Sequence, residues 1–378
     1  MGRLYFVKVE YKPNEAPDNR LLSFIEGFSR MGIDVDVVFV LSNDKGSRIT
    51  KQWPHVTITY LWDYLDIKNR YLRQLSYSLL SRQFVRKLNK DDIVVLFDAE
   101  RMMFPLIKKK GIKVFAEKTE HPFAYHVRTI NMKKYVEWCK YLDGMFVIST
   151  ALKEYFISND VPSEKISIIN MTVDPQRFQG LLKQRVNHPY IAYCGTASNN
   201  KDGVDELIKA FAIIAERYKD YKLYIIGKGL TKEDDSGNRQ LVERLNLSKK
   251  VVFTGIVSAE EMPQLLKNAT LLALDRPDNL QAQFGFPTKL GEYLLTENPV
   301  VVTSVGDIPL FLKDGVNALI SEPNNTKAFA AKMAWIIEHP NEAATIGKAG
   351  SEVAKKHFNC IIESRKMLNA INNCQKSS

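Results

Sequence analysis

The sequence predicts an α/β protein built from two doubly wound domains. Strand-like apolar runs alternate with segments whose apolar residues recur at helical spacing, and this alternation occurs in both halves of the chain. The run DIVVLF at 92–97 is almost entirely apolar, as expected of a parallel strand covered on both faces by helices. A polar segment with proline and glycine at 174–188 interrupts the alternation. These observations predict a parallel sheet on each side of that linker.

In the first half, strand-like and helix-like segments follow one another from residue 4 to residue 169. The predicted strands are 4–9, 34–41, 56–60, 92–97, 112–116, 145–148 and 165–169. The predicted helices are 19–31, 69–88, 100–109, 132–142 and 151–157, the last capped by Ser149 or Thr150. In helix 69–88, helical spacing predicts that five apolar side chains face the core: Leu72, Leu75, Leu79, Phe84 and Leu88.

The second half repeats the pattern and then ends in helices without a further strand. The predicted strands are 190–194, 222–226, 251–253, 270–274, 300–303 and 317–320. The predicted helices are 204–217, 240–246, 260–267, a helix that begins near 287 and ends at 296, 326–338, 342–357 and 360–371. We therefore assign residues 1–180 to an N-terminal domain and 181–357 to a C-terminal domain. Residues 358–378 form a terminal helix that we expect to pack back across the cleft between the domains.

Composition excludes several classes of protein. The 378 residues are 45% hydrophobic and 25% charged, which is typical of a globular chain. No apolar run reaches the ~18–20 residues that a membrane-spanning helix needs, and the first ten residues are too short and too charged for a signal peptide. The sequence thus predicts a cytoplasmic protein. The four cysteines are scattered, and His121 and His126 are poorly spaced as ligands, so no metal site is predicted.

Basic residues are concentrated in the first half. The net charge is +10, and residues 1–180 contain 28 basic and 21 acidic residues, against 25 and 22 in the remainder. Such a surface suits anionic lipid headgroups, nucleic acid or a phosphorylated substrate, and it also suits solubility alone. Arg82, Arg86 and Lys90 share one helical face. Contact with the inner membrane leaflet and simple solvation are both open for that face.

Three glycine-containing loops of the second half follow predicted strands. They are GTASNNKDG at 195–203, with Lys201 near its end, GKG at 227–229, and GIVS at 255–258. None matches the dinucleotide fingerprint or the Walker loop. Taken singly, each loop is more often an ordinary turn than a binding site.

A fourth loop, at 275–288, has a stronger chemical pattern. It ends in Gly285-Phe286-Pro287-Thr288, and proline suits the first position of a helix, whose free N–H groups attract phosphate. Thr288 and Glu292 are four residues apart and share one face, with Lys289 beside them. This face offers a hydroxyl, a cation and a carboxylate. An ordinary connection between a strand and a helix is the alternative.

Four segments, in this order, resemble one enzyme family. They are YCGTASNNKDGVDELIKAF at 193–211, YIIGKG at 224–229, VVFTGIVSAEEM at 251–262 and FGFPTKLGEYLLTENPVVVTSVGDIP at 284–309. The sequence is similar to the retaining glycosyltransferases of family four, the group one glycosyltransferases with the GT-B fold. The resemblance implies two Rossmann-like domains facing across a cleft. It also implies a nucleotide diphosphate sugar held by the C-terminal domain, an acceptor on the N-terminal side, and no requirement for a metal ion or another cofactor.

The same resemblance implies roles for individual residues. Glu292 matches the carboxylate that binds the donor ribose, and Lys201 matches the lysine that neutralises the diphosphate. His121, or Glu120 beside it, matches a polar residue that contacts the donor sugar, and a plain loop histidine is the alternative. The remaining residues expected at the donor, by their positions around the phosphates, sugar and nucleobase, are Gly195, Thr196, Gly227, Ile256, Val257, Gly285, Phe286 and Thr288.

Two positions depart from the family pattern. Phe284 stands where the family has a sugar-contacting glutamate, and Thr196 stands where it has a diphosphate arginine. Arg276 is the local candidate to replace the arginine. The candidates for the sugar contact are Asp275, Asp278 and Gln281, and all of these residues are equally compatible with a solvated loop. The loop 11–20, on the acceptor side, lacks the glycine pair of the family.

The resemblance predicts a retaining, hexosyl-type glycosyltransferase acting on a saccharide or lipid-linked acceptor in the synthesis of a cell-surface polysaccharide or lipopolysaccharide. Two alternatives stay open. One is an epimerase or hydrolase of nucleotide sugars with the GT-B fold, although no clear acid–base pair is found. The other is a non-catalytic relative that only binds nucleotide sugars, which the missing glutamate suggests. Nucleic-acid binding is disfavoured because no aromatic and basic motif accompanies the charge.

Overall fold

The computed structural model describes residues 2–13, 15–41, 48–62, 69–98, 100–125 and 129–376. The chain divides into two compact units, unit 1 formed by Met1–Asp174 with Cys360–Ser378 and unit 2 formed by Pro175–Asn359. The division falls at the start of the predicted linker, before the boundary at 180 that the sequence suggests. Asn14 in the predicted acceptor-side loop and His126 of the histidine pair lie outside the described residues.

Unit 1 is organised on a parallel sheet of seven strands. The strand order is β3-β2-β1-β4-β5-β6-β7, and it reverses between β1 and β4, which in such sheets places a crevice at the carboxyl ends of those strands. The elements are β1 (Leu4–Lys8), α1 (Ala16–Arg30), β2 (Val35–Phe39), β3 (Val56–Tyr60), α2 (Arg70–Lys87), β4 (Ile93–Leu96), α3 (Glu100–Lys109), β5 (Lys113–Lys118), α4 (Pro122–Tyr125), α5 (Thr129–Lys140), β6 (Gly144–Val147), α6 (Thr150–Ile157) and β7 (Ile166–Ile168).

Unit 2 is organised on a parallel sheet of six strands in the order β10-β9-β8-β11-β12-β13, which reverses between β8 and β11. The elements are β8 (Tyr190–Cys194), α7 (Asn199–Asp202), α8 (Val204–Ala215), β9 (Lys222–Ile226), α9 (Lys232–Arg244), β10 (Val251–Gly255), α10 (Met262–Asn268), β11 (Leu271–Leu274), α11 (Leu280–Phe284), α12 (Lys289–Leu295), β12 (Val300–Thr303), α13 (Ile308–Phe311), β13 (Leu319–Ser321), α14 (Thr326–Glu338) and α15 (Pro340–His357). The predicted pair of doubly wound sheets is confirmed.

The last helix, α16 (Cys360–Lys376), belongs to unit 1, where it packs on α1. Its Met367 lies in the same buried cluster as Phe24 and Phe28 of α1. The buried carboxylate of Glu363 accepts a hydrogen bond of 2.7 Å from the backbone N–H of Asn170. The chain therefore returns to unit 1 after completing unit 2, and α16 contributes both apolar and polar contacts to the core of unit 1.

Helix α2 differs from the prediction in which leucines it buries. The structure buries Leu80, Phe84, Val85 and Leu88, whereas the leucines predicted to face the core at positions 72, 75 and 79 are 55%, 56% and 56% exposed. The prediction was wrong for those three because both faces of this helix carry apolar residues, and spacing alone does not identify the buried face. Among the described residues, every helix is too short or too polar to span a bilayer.

Three short helical segments also differ from the sequence prediction. Helix α11 lies within the region predicted to be loop, where the side chain of Asn279 caps its first turn by accepting from Ala282 N–H at 2.9 Å. Helix α9 begins at Lys232, before the predicted start at 240, because Thr231 and Asp234 form a capping box. Helix α13 was not predicted at all. For α11 and α9, the polar capping residues are a sequence signal that the spacing of apolar residues does not contain.

The contact between α1 and α16 depends on Gly27, and substitution of this residue gives a testable prediction. A Cβ on Gly27 would overlap the backbone carbonyl of Cys360, so α16 would have to shift. We expect Gly27→Ala to lower the free energy of unfolding by about 1–3 kcal/mol, measured by urea denaturation. Gly237→Ala in α9 is the matched control, because its Cβ would meet open space. It should stabilise the protein by up to about 1 kcal/mol. Equal stability of the two variants would contradict the packing role of Gly27.

Candidate functional site

Three glycine loops of unit 2 meet at the carboxyl edge of its sheet. The backbone N–H of Gly195 donates to Ile226 O at 2.9 Å, and that of Gly227 donates to Gly255 O at 2.9 Å. Gly227 has φ 126°, and a Cβ there would overlap the carbonyl oxygen of Gly195. Glycine is required at 227 by this close backbone approach. The loops that the sequence singled out after β8, β9 and β10 are thus brought together.

A buried carboxylate lies directly beneath the first of these loops. Asp202, at the end of α7, is 2% exposed and forms an ion pair with Lys289 at the start of α12. Its other oxygen lies 3.8 Å from Arg276 Nε. The hydroxyl of Tyr193, from β8, lies 2.7 Å from Asp202 Oδ2 and accepts from Lys289 Nζ at 3.1 Å. Burial alone would raise the pKa of Asp202, but Lys289 and Arg276 hold it below its ordinary value.

Lys289 lies against the glycine loop itself. A Cβ on Gly195 would overlap the Lys289 side chain, and Gly195 has φ 152°. The ammonium group also lies 4.7 Å from the centroid of the Tyr193 ring. Its position therefore depends on a carboxylate, a hydroxyl, an aromatic face and the absence of a side chain at 195. The result is a fixed cation beside Gly195, one residue before Thr196.

Arg276 occupies a different place from the one expected of a phosphate ligand. It is 2% exposed, its Nε donates to Lys201 O at 3.3 Å, and its own carbonyl oxygen accepts from Thr303 Oγ1 at 2.8 Å. It thus supports the turn that carries Lys201 from below. The ion pair with Asp202 keeps this side chain in the interior, and the role of Arg276 as a phosphate ligand stays a prediction.

Asp275 is also buried, and it differs from Asp202 in its surroundings. It is 4% exposed, and its Oδ2 has no hydrogen-bond partner. Burial, followed by the charges of Glu206 and Asp205, raises the pKa of Asp275 to about 7. A buried carboxyl group of this kind does not present itself to a sugar. Of the two other candidates for the sugar contact, Asp278 is exposed and accepts from the amide of Gln283 at 2.9 Å, and Gln281 is partly buried in α11.

Glu292 forms an ion pair with Arg177, which sequence reasoning did not find. Arg177 lies in a 3₁₀ turn, Pro175–Phe178, and its Nη2 also donates to Ala259 O at 3.3 Å. The neighbouring Tyr293 fixes α12 on β8, because its hydroxyl accepts from Cys194 N–H at 2.6 Å and lies 3.0 Å from Cys194 O. The carboxylate of Glu292 is therefore held in place on one side by Arg177 and on the other by the anchoring of its helix.

Of the remaining residues predicted to contact the nucleotide sugar, some have exposed side chains and others are buried. Thr196 and Ile256 are exposed, Ile256 to 60%, and Val257 and Thr288 are partly exposed. The side chain of Phe286 is buried, with its ring centroid 5.3 Å from that of Phe358. Gly285 is buried as well. At 285–286, therefore, only the backbone could contact a ligand. Thr288 is the N-terminal cap of α12, and its side chain makes no capping hydrogen bond.

His121 belongs to unit 1 and is described there. It follows β5, its Nδ1 accepts from Phe123 N–H at 3.2 Å, and its ring lies 4.4 Å from that of Tyr155, edge to face. Burial lowers the pKa of His121, which favours a neutral imidazole. Just before it, Glu117 forms a buried ion pair with Arg20. That pair ties the end of β5 to α1.

Cys194 lies close enough to Glu292 and Lys289 to feel their charges, but its thiol is unreactive. It is the last residue of β8, and burial together with the charge of Glu292 raises the pKa of its thiol to about 12. A thiol with such a pKa stays protonated and is a poor nucleophile.

The sequence matches a family model in its second half and known proteins over part of its length. Residues 188–339 match a family model described as "Glycosyl transferases group 1". The chain is 27% identical over 169 residues to mannosylfructose-phosphate synthase of Agrobacterium fabrum, a match that covers 43% of this chain and 36% of that protein. It is 21% identical over 243 residues to the amylovoran biosynthesis glycosyltransferase AmsK of Erwinia amylovora, covering 64% and 59%. The matches thus cover less than two thirds of the length of these curated relatives.

The fold extends the likeness to the whole chain. The structure matches Anabaena HepE, solved in complex with UDP and glucose, with a TM-score of 0.78 over 98% of this chain and 100% of that one. The identity is 18%, so this likeness shows the fold alone. The predicted GT-B fold of two Rossmann-like units is confirmed.

The ion pairs around Asp202 predict a loss of stability when its charge is removed. Asp202→Asn leaves two buried cations without their counter-ion, and we expect the free energy of unfolding at neutral pH to fall by about 3–5 kcal/mol. The folded pKa of Asp202 is below the unfolded value of about 3.9, so the stabilisation exists above about pH 4 and is lost as the pH falls further. Urea denaturation across pH should show the gap between the two proteins closing towards acid. A gap that is independent of pH would contradict an ionic origin.

For Asp275 we expect the opposite effect: removal of its charge should raise the free energy of unfolding. Its folded pKa, about 7, lies above the unfolded value of about 3.9, so the unfolded chain loses this proton first as the pH rises. The penalty grows from about pH 4 to about pH 7 and is constant above. We expect Asp275→Asn to stabilise the protein by about 1–3 kcal/mol at pH values above about 7, with little effect near pH 4. Destabilisation by this substitution in mild alkali would show that the carboxylate has a favourable partner.

Proposed function

We propose that this chain, whose residues 188–339 match a family model described as "Glycosyl transferases group 1", transfers a sugar from a nucleotide diphosphate sugar to a saccharide or lipid-linked acceptor. The observation that carries the proposal is the group of basic side chains around Asp202, of which Lys289 lies against Gly195. Lys289 and Arg276 share the single buried carboxylate of Asp202, and Lys201 lies on the same turn. Three basic side chains are thus gathered near one glycine loop.

A diphosphate is the ligand whose charge suits this group. Burial is the main cause that lowers the pKa of Lys289, and the charge of Lys201 adds to the effect while Asp202 opposes it. An incoming anion would favour the protonated amine and offset the repulsion between the two lysines. In this proposal Lys289 serves in place of the family's diphosphate arginine, and Lys201 keeps the role that the sequence predicted. Arg276 acts through Asp202 and the carbonyl group of Lys201.

The cations would also assist the chemical step. Transfer breaks the bond between the anomeric carbon and the diphosphate oxygen, forms a bond to the acceptor oxygen, and releases the hydroxyl proton of the acceptor. Negative charge develops on the departing diphosphate, and fixed cations stabilise it without reorganisation. Retention of the anomeric configuration follows from the family resemblance and is part of the proposal. So is the absence of a metal requirement, because lysines can supply the positive charge.

The nucleoside would lie next to the diphosphate, at the carboxyl edge of the unit 2 sheet. Glu292, oriented by Arg177, is suited to accept hydrogen bonds from ribose hydroxyl groups. Arg177 also binds the carbonyl of Ala259, so it connects the carboxylate to the loop of Ile256 and Val257. The exposed side chain of Ile256 offers an apolar surface to a nucleobase. UDP is the first nucleotide to test, since the HepE structures contain it.

The acceptor class and the cellular context are proposed from the family resemblance and from the name of one relative. The name of the amylovoran relative favours a role in cell-surface polysaccharide or lipopolysaccharide synthesis. His121 is proposed as a contact to the donor sugar from unit 1. Hexosyl specificity and a cytoplasmic location stay predictions.

Nucleotide release tests the proposal. The protein is incubated with UDP-, GDP- and dTDP-sugars, with and without a saccharide or lipid-linked acceptor, and the free nucleotide is measured. We expect release that requires the acceptor, and a product whose anomeric configuration by NMR equals that of the donor. Lys201→Ala and Glu292→Ala should each lower turnover by about 10²–10³-fold, the usual cost of losing one contact that stabilises a transition state. Lys289→Met should weaken UDP binding in calorimetry as well.

Lys348→Ala provides the matched control, because Lys348 is an exposed lysine on α15. It should retain normal turnover. Urea denaturation of each variant separates loss of activity from loss of the fold. Release without acceptor would identify a hydrolase. Binding of UDP without release or transfer would favour the non-catalytic relative that Phe284 suggests, and full activity of Lys201→Ala or Glu292→Ala would refute the site.

A further inference from the structure

Helix α2 carries apolar side chains on two opposite faces, and only one of them is covered. On the covered face, Phe84 packs edge to face on Tyr5 of β1, with ring centroids 5.6 Å apart, and Leu80 and Leu88 are buried beside it. On the other face, Tyr71 is 85% exposed, and the three leucines described above are each more than half exposed. A helix with apolar residues on both faces is usually buried on both.

The exposed residues form one line rather than a scatter. Leu72, Leu75 and Leu79 follow the spacing i, i+3 and i+7, so they stack along one side of the helix. Continuing this spacing along the helix gives Arg82 and Arg86, which are also exposed. We name these five residues the α2 stripe. Its first half is apolar and its second half is cationic.

Single exposed leucines are ordinary on protein surfaces, but an aligned set marks a contact surface. The charge around the stripe indicates what it contacts. Residues 69–90 contain six basic residues and no acidic residue. Arg73 is already engaged, because it forms an ion pair with Glu10, and it lies away from the stripe. A partner must therefore combine apolar depth with negative charge.

We propose that the α2 stripe binds the surface of an anionic lipid bilayer, with the helix lying in the plane of the interface. The leucines enter the boundary between headgroups and acyl chains, and the guanidinium groups of Arg82 and Arg86 bind lipid phosphates. Arginine suits this place, because its aliphatic stem can lie on apolar surface while its head bonds phosphate oxygens. A second copy of the chain fits the stripe less well, since it would bring like charges together with no acidic residue to pair them.

This inference is independent of the proposed donor site. The stripe lies in unit 1, whereas the cations and Glu292 lie in unit 2. Lipid binding can therefore be measured without any nucleotide sugar, and neither result predetermines the other.

Co-sedimentation of the full chain with vesicles tests the proposal. Vesicles of pure phosphatidylcholine are compared with vesicles that also contain phosphatidylglycerol. We expect binding to the anionic vesicles that weakens as salt is raised. Arg82→Gln with Arg86→Gln should lower partitioning roughly 25-fold, about fivefold for each basic residue at an anionic surface. Leu72→Gln with Leu75→Gln and Leu79→Gln should lower it by about 100-fold or more.

The matched control replaces three exposed leucines of unit 2, at positions 182, 230 and 310, by glutamine; they are 79%, 65% and 68% exposed. This control should bind the anionic vesicles like the parent chain. Urea denaturation confirms that the stripe variants remain folded. Two results would overturn the proposal: equal binding by the stripe and control variants, or no binding to anionic vesicles at low salt. Light scattering that shows a dimer dissolved only by the leucine substitutions would assign the stripe to a second copy of the chain instead.

Discussion

The candidate site of unit 2 depends on one buried carboxylate. Asp202 connects segments that are far apart in the sequence: Tyr193 of β8, Arg276 after β11 and Lys289 of α12. A buried ion is costly unless it is paired and hydrogen-bonded, so these partners have to arrive together. Arg276 then donates a hydrogen bond to the backbone carbonyl of Lys201, and Lys289 lies against Gly195. The geometry of the glycine loop, the position of Lys201 and the start of α12 all follow from this one group.

The sequence predicted those parts of the molecule that local patterns determine. Alternating apolar runs identified both sheets, and the glycines at 195, 227 and 255 identified the loops that meet at the sheet edge. Partners across the fold could not be predicted in the same way. Nothing in the sequence around Arg177 shows that it will meet Glu292, because 115 positions separate the two residues. Lys289 was visible beside Thr288, but its proximity to Gly195 is a property of tertiary packing. The same limit explains α2, where the prediction assigned five apolar side chains to a single buried face, whereas the structure buries Phe84 and Leu88 and exposes the other three.

Of the two departures from the family pattern, only the one at Thr196 has a structural counterpart among the described residues. At Thr196 the missing arginine has a structural counterpart, since Lys289 brings a cation to the same backbone from another element. At Phe284 no comparable replacement is found among the described residues nearby. Asp275 is buried, and Asp278 is engaged with Gln283. The positive charge for a diphosphate is therefore present in unit 2, whereas a carboxylate for the sugar is not evident beside Phe284. This difference is why transfer and simple nucleotide binding must be separated by experiment.

The pairing of Asp202 also explains how a cationic site can exist before its ligand arrives. Two cations held close together repel each other, and desolvation makes the repulsion stronger. A single carboxylate between them reduces the repulsion, yet it leaves the group with a net positive charge. In the proposed function, a diphosphate would bind to cations that are already in position, so little of its binding free energy would be spent on ordering them. A second carboxylate with access to the lysines would cancel the excess charge. Asp275 carries its full charge only above neutral pH, because burial and the charges of Glu206 and Asp205 raise its pKa to about 7. In the proposed function, Asp202 is the counter-ion that stabilises the group, and a bound diphosphate would supply further negative charge.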